Sequence, residues 1–237
     1  MTENKNPQDK RNLHLWVSGV ITALPIMLGY LPIGFAFGVL AQKAGLSTFN
    51  TLLMSIIVFA GSAQLIAVGL VANGIAPLTI ILTTFIVNLR HLLFSAAIFP
   101  HLAHWRKRDL AIFAYELTDE TFAVHSTRFE LEPAKKSEAF AINIVAHITW
   151  VLGGWMGVVV GQLLVDVEPL ALDYVLPAMF IGLLVMQIKS RTQVWVALLA
   201  GTASVAFLLL GFSQLHVIIA TIIGATFGAW MEGWTRI

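Results

Sequence analysis

The chain has 237 residues, of which 58% are hydrophobic and 11% are charged, and its mean hydropathy is +0.83. A soluble domain is about 45–50% apolar and about 25% charged, so the composition excludes an ordinary soluble protein and predicts an integral membrane protein. The net charge of +1 gives no basis for nucleic-acid binding, and the lack of cysteine excludes disulfides and thiolate metal sites.

The apolar runs are long and lack the two-residue alternation of barrel strands, so they predict membrane-spanning helices. We therefore expect an all-α, polytopic helical bundle with about six to eight apolar segments. These lie at residues 15–41, 50–73, 77–99, 110–127, 139–165, 174–188, 193–211 and 214–232. A hydrophilic tail (1–12) precedes one transmembrane domain (13–237), whose halves are joined by the polar loop 128–137.

The first segment contains Pro25 and Pro32, and proline removes a backbone donor and clashes with the preceding turn. The pattern predicts either a kinked helix or one broken near Tyr30 and Pro32, with unwound backbone that lines a cavity. A weak internal repeat, in which Leu24–Pro25 matches Leu176–Pro177, is also of a kind common in secondary transporters.

The second segment has Gly61 and Gln64 at its centre. Small residues allow helices to approach closely, which is the first interpretation for Gly61. An amide at this depth needs a partner, so Gln64 suits either helix packing or contact with a substrate.

The third segment carries three polar residues near its middle, namely Asn88, Arg90 and His91. A guanidinium at that depth costs at least about 2.5–3.5 kcal/mol, so it needs a polar environment and a partner. The next segment offers one, because Glu116, Asp119 and Glu120 follow at helical spacing on one face. We predict that these two segments form one polar site inside the membrane.

Two alternatives remain for residues 110–127. They could form an amphipathic helix on the membrane surface with its carboxylates in water, but the segment lacks the Lys/Arg-rich face usual in such helices. Thr118 could also begin a new helix as an N-cap.

Five sequence motifs resemble those of the AzlC-type branched-chain amino-acid permeases, the large, YgaZ-type subunit. They are Leu24, Pro25, Tyr30, Pro32, Phe35 and Gly38; Phe59, Ala60, Gly61, Ala63 and Gln64; Asn88, Arg90 and His91; Thr118 to Ala123; and Leu176, Pro177, Ala178 and Phe180. The resemblance implies export of valine, leucine, isoleucine and sometimes methionine across the bacterial cytoplasmic (inner) membrane. It also implies a small AzlD/YgaH-type membrane subunit, and neither cofactor nor enzymatic activity. Some relatives have aspartate at the position of Asn88.

A branched-chain amino acid is a zwitterion with an apolar side chain. Asp119 and Glu120 are candidates for its ammonium group, and backbone N–H groups near residues 29–34 for its carboxylate. Gly61 would shape the apolar part of the pocket, and we expect Arg90 to be a counter-ion rather than a substrate clamp. Three carboxylates against one guanidinium leave surplus negative charge, so one carboxylate or His91 would carry a proton in proton-coupled export.

Two other functions fit fewer features. A channel or uniporter for small neutral solutes would use the polar residues only to hydrate a path. An intramembrane metalloenzyme would need His91, His125 and the acidic residues, but the sequence has no HExxH spacing. We therefore predict no metal and no catalytic residue.

Overall fold

A computed structural model of the protein describes residues 7–164, 171–188, 190–211 and 216–235. These residues confirm the all-α prediction. The helices are α1 (Pro7–Lys43), α2 (Thr48–Ile57), α3 (Gly61–Ala72), α4 (Pro77–Leu102), α5 (Lys107–Tyr115), α6 (Asp119–Leu131), α7 (Lys136–Leu163), α8 (Val175–Gln187), α9 (Arg191–Leu209) and α10 (His216–Thr235), with a 3₁₀ turn at Leu172–Tyr174. Residues 7–12, which were assigned to a tail, already belong to α1, and the loop between α6 and α7 is limited to residues 132–135.

Four helices in the described ranges are long and apolar enough to cross a membrane. They are Asn12–Lys43, Pro77–Leu102, Lys136–Leu163 and Arg191–Leu209. Many of their large apolar side chains are exposed, such as Leu28, Phe85 and Leu163. Because soluble monomers rarely expose apolar surface on this scale, the helices indicate a multi-pass membrane protein.

The chain divides into two compact units, one ending at Phe180 and one beginning at Ile181. In the second unit, α9 and α10 pack closely, since a Cβ on Gly224 would lie 3.0 Å from the Cβ of Ala200. Ser204 Oγ and His216 Nδ1, 2.9 Å apart, form a hydrogen bond between the same two helices. All the candidate residues lie in the first unit.

The first unit is built on backbone contact between α1 and α7. A Cβ on Gly38 would lie 2.1 Å from the Gly154 carbonyl oxygen, and one on Gly157 would lie 2.0 Å from the Phe35 carbonyl oxygen. Membrane helices often associate through such small residues, because dispersion and close packing replace the hydrophobic effect between them. The Trp150 ring of α7, stacked on Phe37 of α1 at 5.8 Å, continues this contact.

The prediction that the prolines break the first helix is wrong. Residues 7–43 form one helix with Pro25 and Pro32 inside it. This helix packs closely against α7, and membrane helices tolerate proline where neighbouring groups stabilise them.

The helix breaks occur in two other segments instead. The apolar segment 50–73 is split between α2 and α3 at Phe59, whose φ of +40° no right-handed helix contains. The segment 110–127 is split between α5 and α6 at residues 116–118. The described part of the first unit therefore contains two interrupted helices, α2–α3 and α5–α6.

The Gly38→Ala variant should be less stable than the natural protein. Its Cβ would force the α1 and α7 backbones apart, and such overpacking costs about 1–3 kcal/mol. Thermal unfolding in detergent should show a lower midpoint.

Gly29→Ala is the matched control in the same helix, because its Cβ meets nothing within 4 Å among the described residues. This variant should unfold at or slightly above the natural midpoint. Equal midpoints for Gly38→Ala and Gly29→Ala would contradict the stabilising role of the backbone contact.

Candidate functional site

The first turns of α3 and α6 lie on either side of Arg90. Arg90 Nη2, from α4, is 2.9 Å from Asp119 Oδ2 and also donates a hydrogen bond to Ser62 Oγ. The ion pair expected between the third apolar segment and the acidic segment is therefore present. Through its contacts with Asp119 and Ser62, Arg90 connects the N-terminal end of α6 to that of α3.

Thr118 is the N-cap of α6, as its sequence position suggested. Its hydroxyl accepts a hydrogen bond from the Thr121 N–H at 3.3 Å, and its own N–H donates to Thr121 Oγ1 at 2.8 Å. This capping box satisfies donors that would otherwise lie unpaired at the start of a buried helix. The surface-helix alternative is wrong, because the side chains of Asp119 and Glu116 are only 16% and 12% exposed.

Tyr30 brings α1 into the same site. Its hydroxyl donates to Glu120 Oε2 at 2.6 Å and lies 2.6 Å from Thr118 Oγ1. Because the tyrosine proton is directed at the carboxylate, the Thr118 hydroxyl is the donor in the second bond. Tyr30 is therefore a site residue because of its own hydroxyl, and unwound backbone near it plays no part.

Three buried side-chain atoms in residues 88–91 of α4 have no hydrogen-bond partner among the residues that the structure describes. They are Asn88 Oδ1, Arg90 Nε and His91 Nε2. His91 Nδ1 is 2.9 Å from the Leu117 carbonyl oxygen, so that nitrogen carries the proton and Nε2 has a free lone pair. Unpaired buried polar groups are costly and mark places where a further ligand would gain hydrogen bonds.

The other candidates have mainly structural neighbours. Gln64 Oε1 accepts a hydrogen bond from Trp150 Nε1 at 3.1 Å, which supports the packing interpretation. A Cβ on Gly61 would lie 2.9 Å from the Trp150 ring, so Gly61 allows close contact there. Pro32 is exposed and is not part of the site.

A narrow cavity lies between the two helix breaks. Its lining comprises Tyr30, Phe59, Ala60, Gly61, Ser62, Arg90, His91, Thr118, Asp119, Glu120 and Trp150. Its free volume of about 10 Å³ is roughly what one water molecule occupies. The lining combines charged and polar groups with aromatic rings.

Glu116 does not share a helix face with Asp119 and Glu120, because the chain is broken between them. It ends α5, and its Oε2 lies 2.9 Å from His147 Nδ1 on α7. The other ring nitrogen, His147 Nε2, is 3.2 Å from the Ser55 carbonyl oxygen at the end of α2. Their spacing in the sequence puts His147 and Asn143 on one helix face and favours a satisfied buried pair, but in the structure His147 pairs with Glu116 and Asn143 with His125.

The three residues between α5 and α6 are each held by a different helix. Glu116 contacts His147 of α7, the Leu117 carbonyl accepts from His91 of α4, and Thr118 bonds to Tyr30 of α1. We call residues 116–118 the acidic link. Its position is thereby fixed from three sides.

His125 belongs to a separate polar cluster. Its Nε2 is 2.7 Å from Asn143 Oδ1, and the Phe129 ring stacks on its own at 5.1 Å. Nearby, Glu138 Oε1 is 2.6 Å from Arg128 Nη2 and 2.5 Å from Ser18 Oγ. The pairing of His125 and His91 that a metalloenzyme would need is therefore not what the structure shows, since each ring has other partners.

Comparison with known proteins places the chain in a family. The family described as AzlC protein matches residues 25–164, which is more than half of the chain. An uncharacterized membrane protein of Archaeoglobus fulgidus is 32% identical, covering 90% of this chain and 93% of its own length. No solved structure matches the chain.

Two further relatives have more specific names. Inner membrane protein YgaZ of Escherichia coli is 28% identical over 95% of this chain and 93% of its own length. Branched-chain amino acid transport protein AzlC of Bacillus subtilis is 28% identical over 79% of this chain and 73% of its own length. The matched residues include the cavity, the acidic link and both interrupted helices. Since the family match covers more than half of the chain, the chain belongs to the AzlC protein family.

Proposed function

We propose that this protein is a proton-coupled secondary transporter that exports branched-chain amino acids across the bacterial cytoplasmic membrane. The substrates would be valine, leucine, isoleucine and methionine, and a small AzlD-type subunit would act with it. The observation that carries this proposal is a cavity between two half-helix N-termini that combines a cation, two carboxylates and aromatic rings. The name of the Bacillus subtilis relative supports the substrate class.

The substrate carboxylate would bind at the N-terminal end of α3. The first N–H groups of a helix have no partner within it and carry partial positive charge, which attracts anions. Ser62, in this first turn, already accepts a hydrogen bond from Arg90, whose charge is paired with Asp119, so the substrate carboxylate would rely on the backbone N–H groups. This replaces the carboxylate site expected near residues 29–34, which lie inside a continuous helix.

The substrate ammonium group would bind Glu120 and Asp119. Both carboxylates line the cavity, and Glu120 already accepts a hydrogen bond from Tyr30. Asp119 is neutralised by Arg90, so Glu120 is the acid with charge available for a cation. A charge-assisted hydrogen bond of this kind contributes about 1.5–3 kcal/mol.

The apolar side chain of the substrate would contact the rings of Phe59 and Trp150 beside Gly61. The cavity is far smaller than a leucine side chain, so binding requires the helix breaks to move apart. Secondary transporters place their substrate sites at interrupted helices, and one group of helices moves against the other around the site.

Purified protein in proteoliposomes should exchange labelled valine for unlabelled valine, leucine or isoleucine. A transporter with a closed state gives saturable counterflow, because each turnover requires a bound substrate. The assay should be made with and without the small AzlD-type subunit. Valine flux that rises in proportion to concentration, without counterflow, would instead indicate a channel.

Glu120→Gln should weaken substrate binding by removing the charge that the ammonium group needs. Since 1.4 kcal/mol corresponds to a tenfold change, the KM for counterflow should rise about 10- to 100-fold. Glu130→Gln is the matched control, because Glu130 lies on the same helix and is exposed. If both variants had the natural KM, Glu120 would not bind the substrate.

A further inference from the structure

His147 has a hydrogen-bond acceptor at each of its two ring nitrogens. Nδ1 lies 2.9 Å from Glu116 Oε2 and 3.1 Å from Oε1, while Nε2 lies 3.2 Å from the Ser55 carbonyl oxygen. The ring is fixed in this orientation by Phe59, which stacks on it with the centroids 3.9 Å apart. Turning the ring over would replace both nitrogens by carbons and lose both bonds.

The two acceptors determine how many protons the group holds. A carbonyl oxygen only accepts, an ionised carboxylate only accepts, and a neutral imidazole has a single N–H. Both bonds can therefore form only if the pair carries one proton more than a neutral histidine beside a carboxylate. That proton lies on the imidazole or on Glu116.

The surroundings favour the imidazolium form. The ring lies at the C-terminal end of α2 and beside the C-terminal end of α5, and both helix ends carry partial negative charge. The titratable groups that face it are Glu116 and Tyr115, both from the end of α5, whereas α2 offers the Ser55 carbonyl. Tyr115 is turned to the neighbouring Ile56 carbonyl, to which its hydroxyl donates.

We propose that the His147–Glu116 pair is the proton-binding site of this protein and couples proton movement to transport. The coupling part rests on the transport function proposed above. With the proton bound, His147 joins the end of α2 to the end of α5. When the proton leaves to water, the neutral ring keeps only one N–H, and either the Ser55 bond or the Glu116 bond is lost.

Loss of either hydrogen bond would affect residues that line the substrate cavity or lie next to its lining. Phe59, which stacks on His147, lines that cavity, and Glu116 is two residues before Thr118, which also lines it. Release of the Ser55 bond frees the end of α2 next to Phe59. Release of the Glu116 bond frees the acidic link. The proton therefore stabilises the closed arrangement, and its departure allows the helix breaks to separate.

The proton itself can be observed without any transport assay. In detergent-solubilised protein labelled with ¹⁵N-histidine, the His147 resonances are identified as those missing in His147→Gln. At neutral pH we expect both ring nitrogens of His147 to be protonated. A neutral ring protonated only at Nδ1 would overturn the proposal. A ring protonated only at Nε2 would overturn it if the ¹³C shift of the Glu116 carboxyl group showed an ionised acid, and would place the proton on Glu116 if that shift showed a protonated acid.

The coupling role is tested in proteoliposomes by comparing uphill transport with counterflow. If one proton is exchanged per substrate, an interior that is one pH unit more acidic drives accumulation of valine up to about tenfold. His147→Gln and Glu116→Gln should each reduce that accumulation to about onefold while retaining counterflow. Both substitutions remove the titrating group but keep a polar side chain that can hydrogen-bond.

Tyr115→Phe is the matched control, since it removes a hydrogen bond from the same end of α2 without removing a group that titrates near neutral pH. It should retain pH-driven accumulation. The coupling role is wrong if pH-driven valine accumulation persists in His147→Gln and Glu116→Gln. It is also wrong if both variants lose counterflow together with accumulation. Absence of counterflow in the natural protein would contradict the proposed function, whereas the NMR result would still decide the proton site.

Discussion

Helix ends inside a membrane protein must satisfy their backbone groups without help from water, and this requirement organises the first unit. The end of α2 leaves the Ser55 and Ile56 carbonyl groups without next-turn donors. His147 and Tyr115 supply those donors from α7 and α5. At the start of α6, the Thr118 hydroxyl pairs with the backbone N–H of the first turn. Polar side chains of the continuous helices, such as Tyr30, Arg90 and His147, are therefore directed at the places where other helices stop.

The ends of the interrupted helices also place partial charges of opposite sign at two different sites. The C-terminal ends of α2 and α5 meet at His147, where partial negative charge favours a cation. The N-terminal ends of α3 and α6 meet at the cavity, where the partial positive charge of helix starts favours an anion, and Glu120 supplies the opposite charge close by. Such a cavity complements a zwitterion better than a simple ion, which is why the proposed substrate is an amino acid.

The sequence predicted part of this site and misplaced the rest. A buried guanidinium requires a nearby acid whatever the fold, and this rule correctly places Arg90 close to the carboxylates of residues 116–120. The prolines of α1 suggest a kinked or a broken helix, but α1 is continuous and packs closely on α7. The real break at Phe59 involves a positive φ in a residue that rarely adopts one, and propensity gives no signal for it. Helix spacing places His147 with Asn143 as a buried pair, whereas its actual partners, Glu116 and the end of α2, come from distant parts of the sequence that spacing does not reveal.

The acidic link explains how a proton site and a substrate site can influence each other over a short distance. Its three successive residues are bound to α7, α4 and α1, and the next residue, Asp119, is paired with Arg90. A segment of consecutive residues held at each position cannot shift at one without straining the others. The proposed protonation of the His147–Glu116 pair and the proposed occupancy beside Thr118 would therefore act on the same piece of backbone. Coupling would then need no long pathway, because both ligands would bias one two-state element, the contact between the two helix breaks.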